Sequence, residues 1–193
     1  MSEARADLVA TPSQTVGPFF HFGLADKATL GCLVRPDTPG VRISLQIRVV
    51  DGDGAPLPDA LIELWQADAA GRYVRPAEPQ DVLTPEGFCG FGRLPTGADG
   101  SCTFETIRPG RVPDGAGQTQ APHINVCLFA RGLLRQVYTR IYFAGDELIA
   151  TDVVLAQVPE SRRHTLVAHE TTPGAWLFNI RLQGDGETVF FDL

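Results

Sequence analysis

No stretch of this chain approaches the ~20 consecutive apolar residues of a membrane-spanning helix. Its opening, Met1 to Gln14, has no basic segment leading into an apolar run, so it does not read as a secretory signal. The cysteines Cys32, Cys89, Cys102 and Cys127 are scattered, without a C-x-x-C pair, and the spacing of a thiolate metal site is missing. The expectation is four reduced, mostly buried thiols in a cytoplasmic protein. Positive charge is also in deficit. A net charge of −7 and a pI near 5.0 argue against a nucleic-acid or anionic-membrane partner. They do not exclude a small anionic ligand, because one local arginine can outweigh a distant acidic face.

Helical periodicity is nearly absent too; only 159–170, with Pro159 at its start and Leu166 and Val167 inside, suggests a short helix. What the chain does have is alternation. Apolar side chains fall on every second position in Ile43–Val49, in Ile124, Val126 and Leu128, in Val137, Thr139, Ile141 and Phe143, and in Trp176, Phe178, Ile180 and Leu182. That period marks strands with one face on a core. Shorter candidates are Ala60–Gln66, Ser101–Ile107, Ile149–Leu155 and Thr188–Phe191. The 193 residues are 44% hydrophobic and 20% charged, enough for one domain with a sizeable core. Many short strands between Gly/Pro turns predict an all-β fold, a sandwich or a barrel. Three segments fall outside the alternation: an N-terminal arm over 1–40 and long loops over 67–100 and 108–121. Loops of that length in a compact domain tend to be functional or disordered.

Only three tyrosines and four histidines are available for chemistry: Tyr73, Tyr138 and Tyr142, and His21, His123, His164 and His169. Tyr73 sits in the first long loop, and His123 opens a strand just after the second. Residues i and i+2 of a strand share a face, so His123 and Asn125 point the same way. A histidine at 125 would complete a two-ligand pair; an asparagine amide is a poor ligand for a transition metal. Tyr138 and Tyr142 share a strand face and read as packing residues. His21, His164 and His169 read as surface or partly buried side chains.

Three motifs, in order, carry a resemblance. They are Thr11-Pro12-Ser13-Gln14-Thr15-Val16-Gly17-Pro18-Phe19, then Pro58-Asp59-Ala60-Leu61-Ile62-Glu63-Leu64-Trp65-Gln66-Ala67-Asp68 with Gly71-Arg72-Tyr73, and finally Gln183-Gly184-Asp185-Gly186-Glu187-Thr188-Val189-Phe190-Phe191-Asp192. With them the chain resembles the intradiol ring-cleavage dioxygenases over nearly its whole length, and within that family the α-type chains. The resemblance implies a two-sheet β-sandwich with little helix, one domain over 1–193, whose arm 1–40 contacts a partner. Catalytic chains of the family bind Fe(III) with two tyrosines and two histidines. Tyr73 matches the first tyrosine and His123 the first histidine. In Arg108-Pro109-Gly110-Arg111-Val112-Pro113 the second tyrosine is replaced by Val112, and the second histidine by Asn125. The resemblance therefore implies a relic metal set with no iron or catalytic residue on this chain, and Fe(III) on a β subunit of the same fold. It further implies that Thr15, Gly17, Pro18 and Arg131 face the substrate, a small aromatic acid, in the partner's pocket. An arginine there would suit a carboxylate. Two alternatives stay open: a β-sandwich binding or structural module, and a self-sufficient dioxygenase with an altered ligand set.

Overall fold

The structure, a computed structural model, describes residues 9–17, 20–24, 28–73, 88–113 and 117–192. Among these residues ten strands follow one another: β1 (Arg42–Val50), β2 (Leu61–Gln66), β3 (Phe91–Pro95), β4 (Ser101–Ile107), β5 (Val112–Pro113), β6 (Thr119–Gln120), β7 (His123–Phe129), β8 (Val137–Phe143), β9 (Val167–Thr172) and β10 (Ala175–Arg181). The α-helices described are single turns, α1 (Phe20–Leu24) and α2 (Glu160–Arg163). The expectation of an all-β fold with little helix is met.

Eight strands form one hydrogen-bonded sheet in the order β3-β2-β7-β8-β9-β10-β1-β4, and β5 and β6 make a separate two-residue pair. Most neighbours are antiparallel; β1 runs parallel to β10 and β8 parallel to β9. The β8–β9 link is only two residue pairs long, Tyr142 to Val167 and Phe143 to Ala168. The hydrogen bonding is thus continuous where two separate sheets were expected, but its two four-stranded halves meet at a narrow joint. One buried cluster draws on both halves: Leu45, Ile47, Phe104 and Phe178 from one, Ile62, Leu64, Val126 and Ile141 from the other. Burying each such side chain stabilises the fold by about 1.5–3 kcal/mol, so the shared core holds the halves together without help from helices.

The alternating segments became β1, β7, β8 and β10, and the shorter candidates at 60–66 and 101–107 became β2 and β4. Residues 149–155 did not form a strand. They run from the end of one 3₁₀ turn, Glu147–Thr151, through 152–154 to the start of another, Leu155–Gln157. The Asp152 carboxylate accepts the Val154 and Leu155 N–H groups at 3.0 and 2.8 Å, which closes the chain into a turn. Thr188–Phe191 contributes one isolated bridge, Tyr138 to Phe191. The helix expected over 159–170 ends after one turn, because Val167 and Ala168 pair with β8 and start β9. The loop 67–100 contains β3, and 108–121 contains β5 and β6. The four cysteines form no disulfide; Cys102 alone of them is buried, so the expectation of mostly buried thiols does not hold.

Candidate functional site

The register of β7 sets the site. Ile124, Val126 and Leu128 point into the core, and His123, Asn125 and Cys127 point to the opposite face. Across that face the pairing puts Tyr142 opposite His123, Arg140 opposite Asn125, Tyr138 opposite Cys127, and on the other side Trp65 opposite Asn125. Residues 147–166 cover the His123 end. There Ala121, Tyr142, Leu155, Val158 and Leu166 form a second, smaller core. The Cys127 end is left open.

Tyr73 reaches this face from a turn that demands glycine. Gly71 has φ +78°, and a Cβ on it would lie 1.8 Å from the Arg111 carbonyl oxygen. The two segments that carry Tyr73 and Val112 therefore meet backbone to backbone. Gly71→Ala should lower the unfolding free energy by about 2 kcal/mol, read as a shift in the urea midpoint; an unchanged midpoint would remove the close approach from the account.

Tyr73, His123 and Asn125 come together. The His123 ring is buried, and its Nδ1–H donates to the Ala121 carbonyl at 2.8 Å. That bond fixes the tautomer and leaves Nε2 as an acceptor, which takes the Tyr73 hydroxyl proton donor at 3.0 Å. The Tyr73 oxygen accepts from Asn125 Nδ2 at 2.9 Å. Asn125 Oδ1 accepts from Arg140 Nε at 3.1 Å, and a second Arg140 nitrogen donates to Gln120 Oε1 at 2.9 Å. Every bond in the chain Arg140–Asn125–Tyr73–His123–Ala121 runs in one direction. The Tyr73 ring lies parallel to Trp65, centroids 6.3 Å apart.

Electrostatics keep this cluster neutral apart from Arg140. Burial, aided by Arg140, lowers the His123 pKa to about 4. Burial raises the Tyr73 pKa above its ordinary value, against the opposing pull of the Asn125 hydrogen bond and of Arg140. The phenol stays protonated at pH 7 and donates to His123.

Of the four positions that the resemblance assigns to metal donors, two can donate, and those two are bonded to each other. The His123 Nε2 lone pair is taken by Tyr73. Asn125 turns its NH₂ toward the tyrosine and its oxygen toward Arg140. Val112 is a buried hydrocarbon paired with Gln120, and the Arg140 cation stands beside Asn125. With a hydrocarbon and a neutral amide at two of the four positions, the described donor set does not fit a ferric ion.

The residues expected to face a substrate lie elsewhere. The Gly132 N–H donates to Thr15 Oγ1 at 2.7 Å, and the Phe20 and Phe129 rings lie 5.4 Å apart, so the arm is fastened to the far end of β7 beside Arg131. Thr15, Gly17 and Arg131 are exposed. Apart from its chain neighbours, no described residue has an atom within 4 Å of where a Gly17 Cβ would be. Pro18 lies outside the described residues. Six strand steps of ~3.3 Å separate the two ends of β7, roughly 20 Å, so this edge is distinct from the Tyr73 cluster. His164 and His169 are exposed; the His21 side chain lies outside the described set. Tyr142 is fully buried and Tyr138 half-buried.

Sequence reasoning missed Arg140, Gln120 and Asp152. The signal for Arg140 was present: it sits between Tyr138 and Tyr142 on the face that alternation turns away from the core.

A sequence profile for the family described as "Dioxygenase" matches residues 16–184. The protocatechuate 3,4-dioxygenase alpha chain of Pseudomonas putida is 43% identical over 203 aligned residues, covering 96% of this chain and 97% of the relative. The protocatechuate 3,4-dioxygenase beta chain of Burkholderia cepacia is 34% identical, over 81% of this chain and 65% of that one. Among solved structures, the dioxygenase domain of a dioxygenase–carbohydrate-binding fusion from Streptomyces sp. SirexAA-E is similar at a TM-score of 0.60 and 28% identity. That match covers 90% of this chain and 99% of that domain.

Proposed function

Because the chain belongs to the intradiol ring-cleavage dioxygenase family, we propose that it is the α subunit, without iron of its own, of a protocatechuate 3,4-dioxygenase. The assembled enzyme opens the ring of protocatechuate between its two hydroxylated carbons. Both atoms of O₂ enter the product, 3-carboxy-cis,cis-muconate. Fe(III) resides on a β subunit of the same fold. The present chain shapes the substrate side of that pocket with Thr15, Gly17, Pro18 and Arg131, and by itself is inactive. It acts as one domain over 1–193, the family's two-sheet β-sandwich, with the arm 1–40 against the partner. The pair works in the cytoplasm, where unpaired thiols stay reduced.

One observation carries this reading: Val112 and Asn125 stand at two donor positions, and Tyr73 and His123 at the other two are bonded to each other at 3.0 Å. The fastening of the arm beside Arg131 supports the second part, since it sets Thr15 and an exposed guanidinium on one edge. The test is expression of this chain with and without a β chain. Alone, it should purify colourless, without stoichiometric iron and without ring cleavage; together, the pair should be coloured and active. Stoichiometric iron with a ferric-phenolate band in the chain alone would overturn the reading.

In the assembled enzyme, Arg131→Ala should raise the KM for protocatechuate on the order of tenfold, the effect of losing about one charge-assisted hydrogen bond. Iron content should not change. Kinetics identical to the unmodified pair would take Arg131 out of the pocket.

A further inference from the structure

The open end of the Tyr73 face is a groove with a volume of about 620 Å³, within the ~300–1,000 Å³ range of small-molecule sites. Its walls are aromatic: Trp65, Phe91, Tyr138 and Phe191. Trp65 is exposed on the groove side, though its ring is braced by Tyr73 at 6.3 Å and Phe91 at 6.2 Å. An exposed indole held between two rings is a rigid surface on which a flat ligand can stack at little entropic cost.

Arg140 stands at the inner end of this groove, half-buried. It donates to the amide oxygens of Asn125 and Gln120, which are neutral. Among the described residues, no carboxylate comes within ion-pairing distance of it; the four ion pairs seen there use Arg72, Arg93, Arg108 and Arg162. Glu63, which also borders the groove, is held by Arg93 at 2.6 Å. Asp192 lies at the exposed rim. A half-buried guanidinium bonded to neutral amides keeps a field that favours an incoming anion. Asn125 and Gln120 hold the guanidinium plane in place, so an incoming carboxylate would find the fork already oriented. Cys127, on the groove floor, adds no chemistry: burial, together with Glu63, pushes its thiol up to about 12.

We propose that this groove is a non-catalytic binding site for a monocyclic aromatic carboxylate, whose ring lies against Trp65 and Tyr138 and whose carboxylate pairs with Arg140. The inference goes beyond the subunit reading. It rests on the aromatic groove and the guanidinium at its inner end, which has no carboxylate in ion-pairing distance among the described residues, and it needs neither iron nor the Thr15–Arg131 edge.

The test is equilibrium dialysis of labelled 4-hydroxybenzoate against the full chain, alone or assembled with its β partner. The quantity read is the difference in bound acid between the unmodified protein and Arg140→Gln or Trp65→Leu. Taking the difference cancels any acid held by the partner. At subsaturating acid each variant should bind at least tenfold less at this site, and saturation should show one acid per chain that the variants have lost. 4-Hydroxybenzyl alcohol, with the same ring but no charge, should compete at least tenfold more weakly than benzoate. Thermal unfolding checks that each variant is folded; Trp65, exposed on one side, guards against the case in which Arg140→Gln loosens the Tyr73 cluster. Equal binding by the unmodified protein and a folded Trp65→Leu variant, or equal competition by the alcohol and the acid, would overturn the proposal. A chain that fails here but still supports ring cleavage with its partner loses this inference and keeps the subunit reading.

Discussion

Asp152→Ala should lower the unfolding free energy of the chain by about 3–5 kcal/mol, the largest loss expected from any single polar side chain described above. Asp152 is 1% exposed. One carboxylate oxygen accepts the Tyr142 hydroxyl at 2.9 Å and the Val154 and Leu155 N–H groups at 3.0 and 2.8 Å; the other accepts the Ala121 N–H at 2.8 Å. Alanine would leave the Tyr142 hydroxyl and the Ala121 N–H without acceptors in a dry environment. Each stranded donor costs about 1–3 kcal/mol. The damage should also travel. Ala121 holds His123 through its carbonyl, and His123 holds Tyr73, so the Asp152→Ala chain should lose hydrogen-exchange protection at residues 119–125 before the rest of the sheet. Asp152→Asn keeps one acceptor oxygen and should cost less than half as much. Urea titrations of the two variants decide the matter: equal losses would mean that residue 152 acts through turn geometry and not through its four hydrogen bonds.

The strands that the sequence revealed are those whose pattern is local. Ile43, Leu45, Ile47 and Val49 alternate without interruption, and so do Ile124, Val126 and Leu128; both runs emerge as strands in the expected phase. β9 stayed hidden because only Val167 and Ala168 pair with β8, and those contacts cross more than twenty residues of sequence. The apolar run at 149–155 misled because a single polar residue, Asp152, captures the backbone donors that a strand would have given to a neighbour. The site divides in the same way. Tyr73, Val112, His123 and Asn125 could be named because they fall within motifs. The bonds that Arg140 makes to Asn125 and Gln120 could not, because they depend on cross-strand register, Asn125 opposite Arg140 and Val112 opposite Gln120. Substituting metal donors is visible in a motif; the hydrogen bonds that then close the gap are visible only in the fold.

Acid should weaken the chain chiefly through His123. An unfolded histidine titrates near 6.5, whereas burial and Arg140 hold the folded ring's pKa near 4. Between those values the unfolded chain binds a proton that the folded chain refuses, so stability is complete above about pH 6.5 and drains away as the pH falls toward 4. The full loss is about 3 kcal/mol for a shift of this size, and the ring is 1% exposed, so solvent does little to screen it. Protonation would also break the cluster at a definite atom. A proton on Nε2 turns it from acceptor to donor, and the Tyr73 hydroxyl, already accepting from Asn125, would have to give up its own donation and rotate. His123→Gln keeps a hydrogen-bonding group at the position but removes the titration. Its unfolding free energy should therefore be lower than that of the unmodified chain at pH 7, yet fall by about 3 kcal/mol less between pH 7 and pH 4. Urea unfolding of both proteins across that range measures the difference, and the imidazole resonances of His123 report its pKa directly. Parallel stability curves, or a His123 ring that titrates near 6.5, would show that the imidazole is solvated and that the directional chain from Arg140 to Ala121 is not closed in solution.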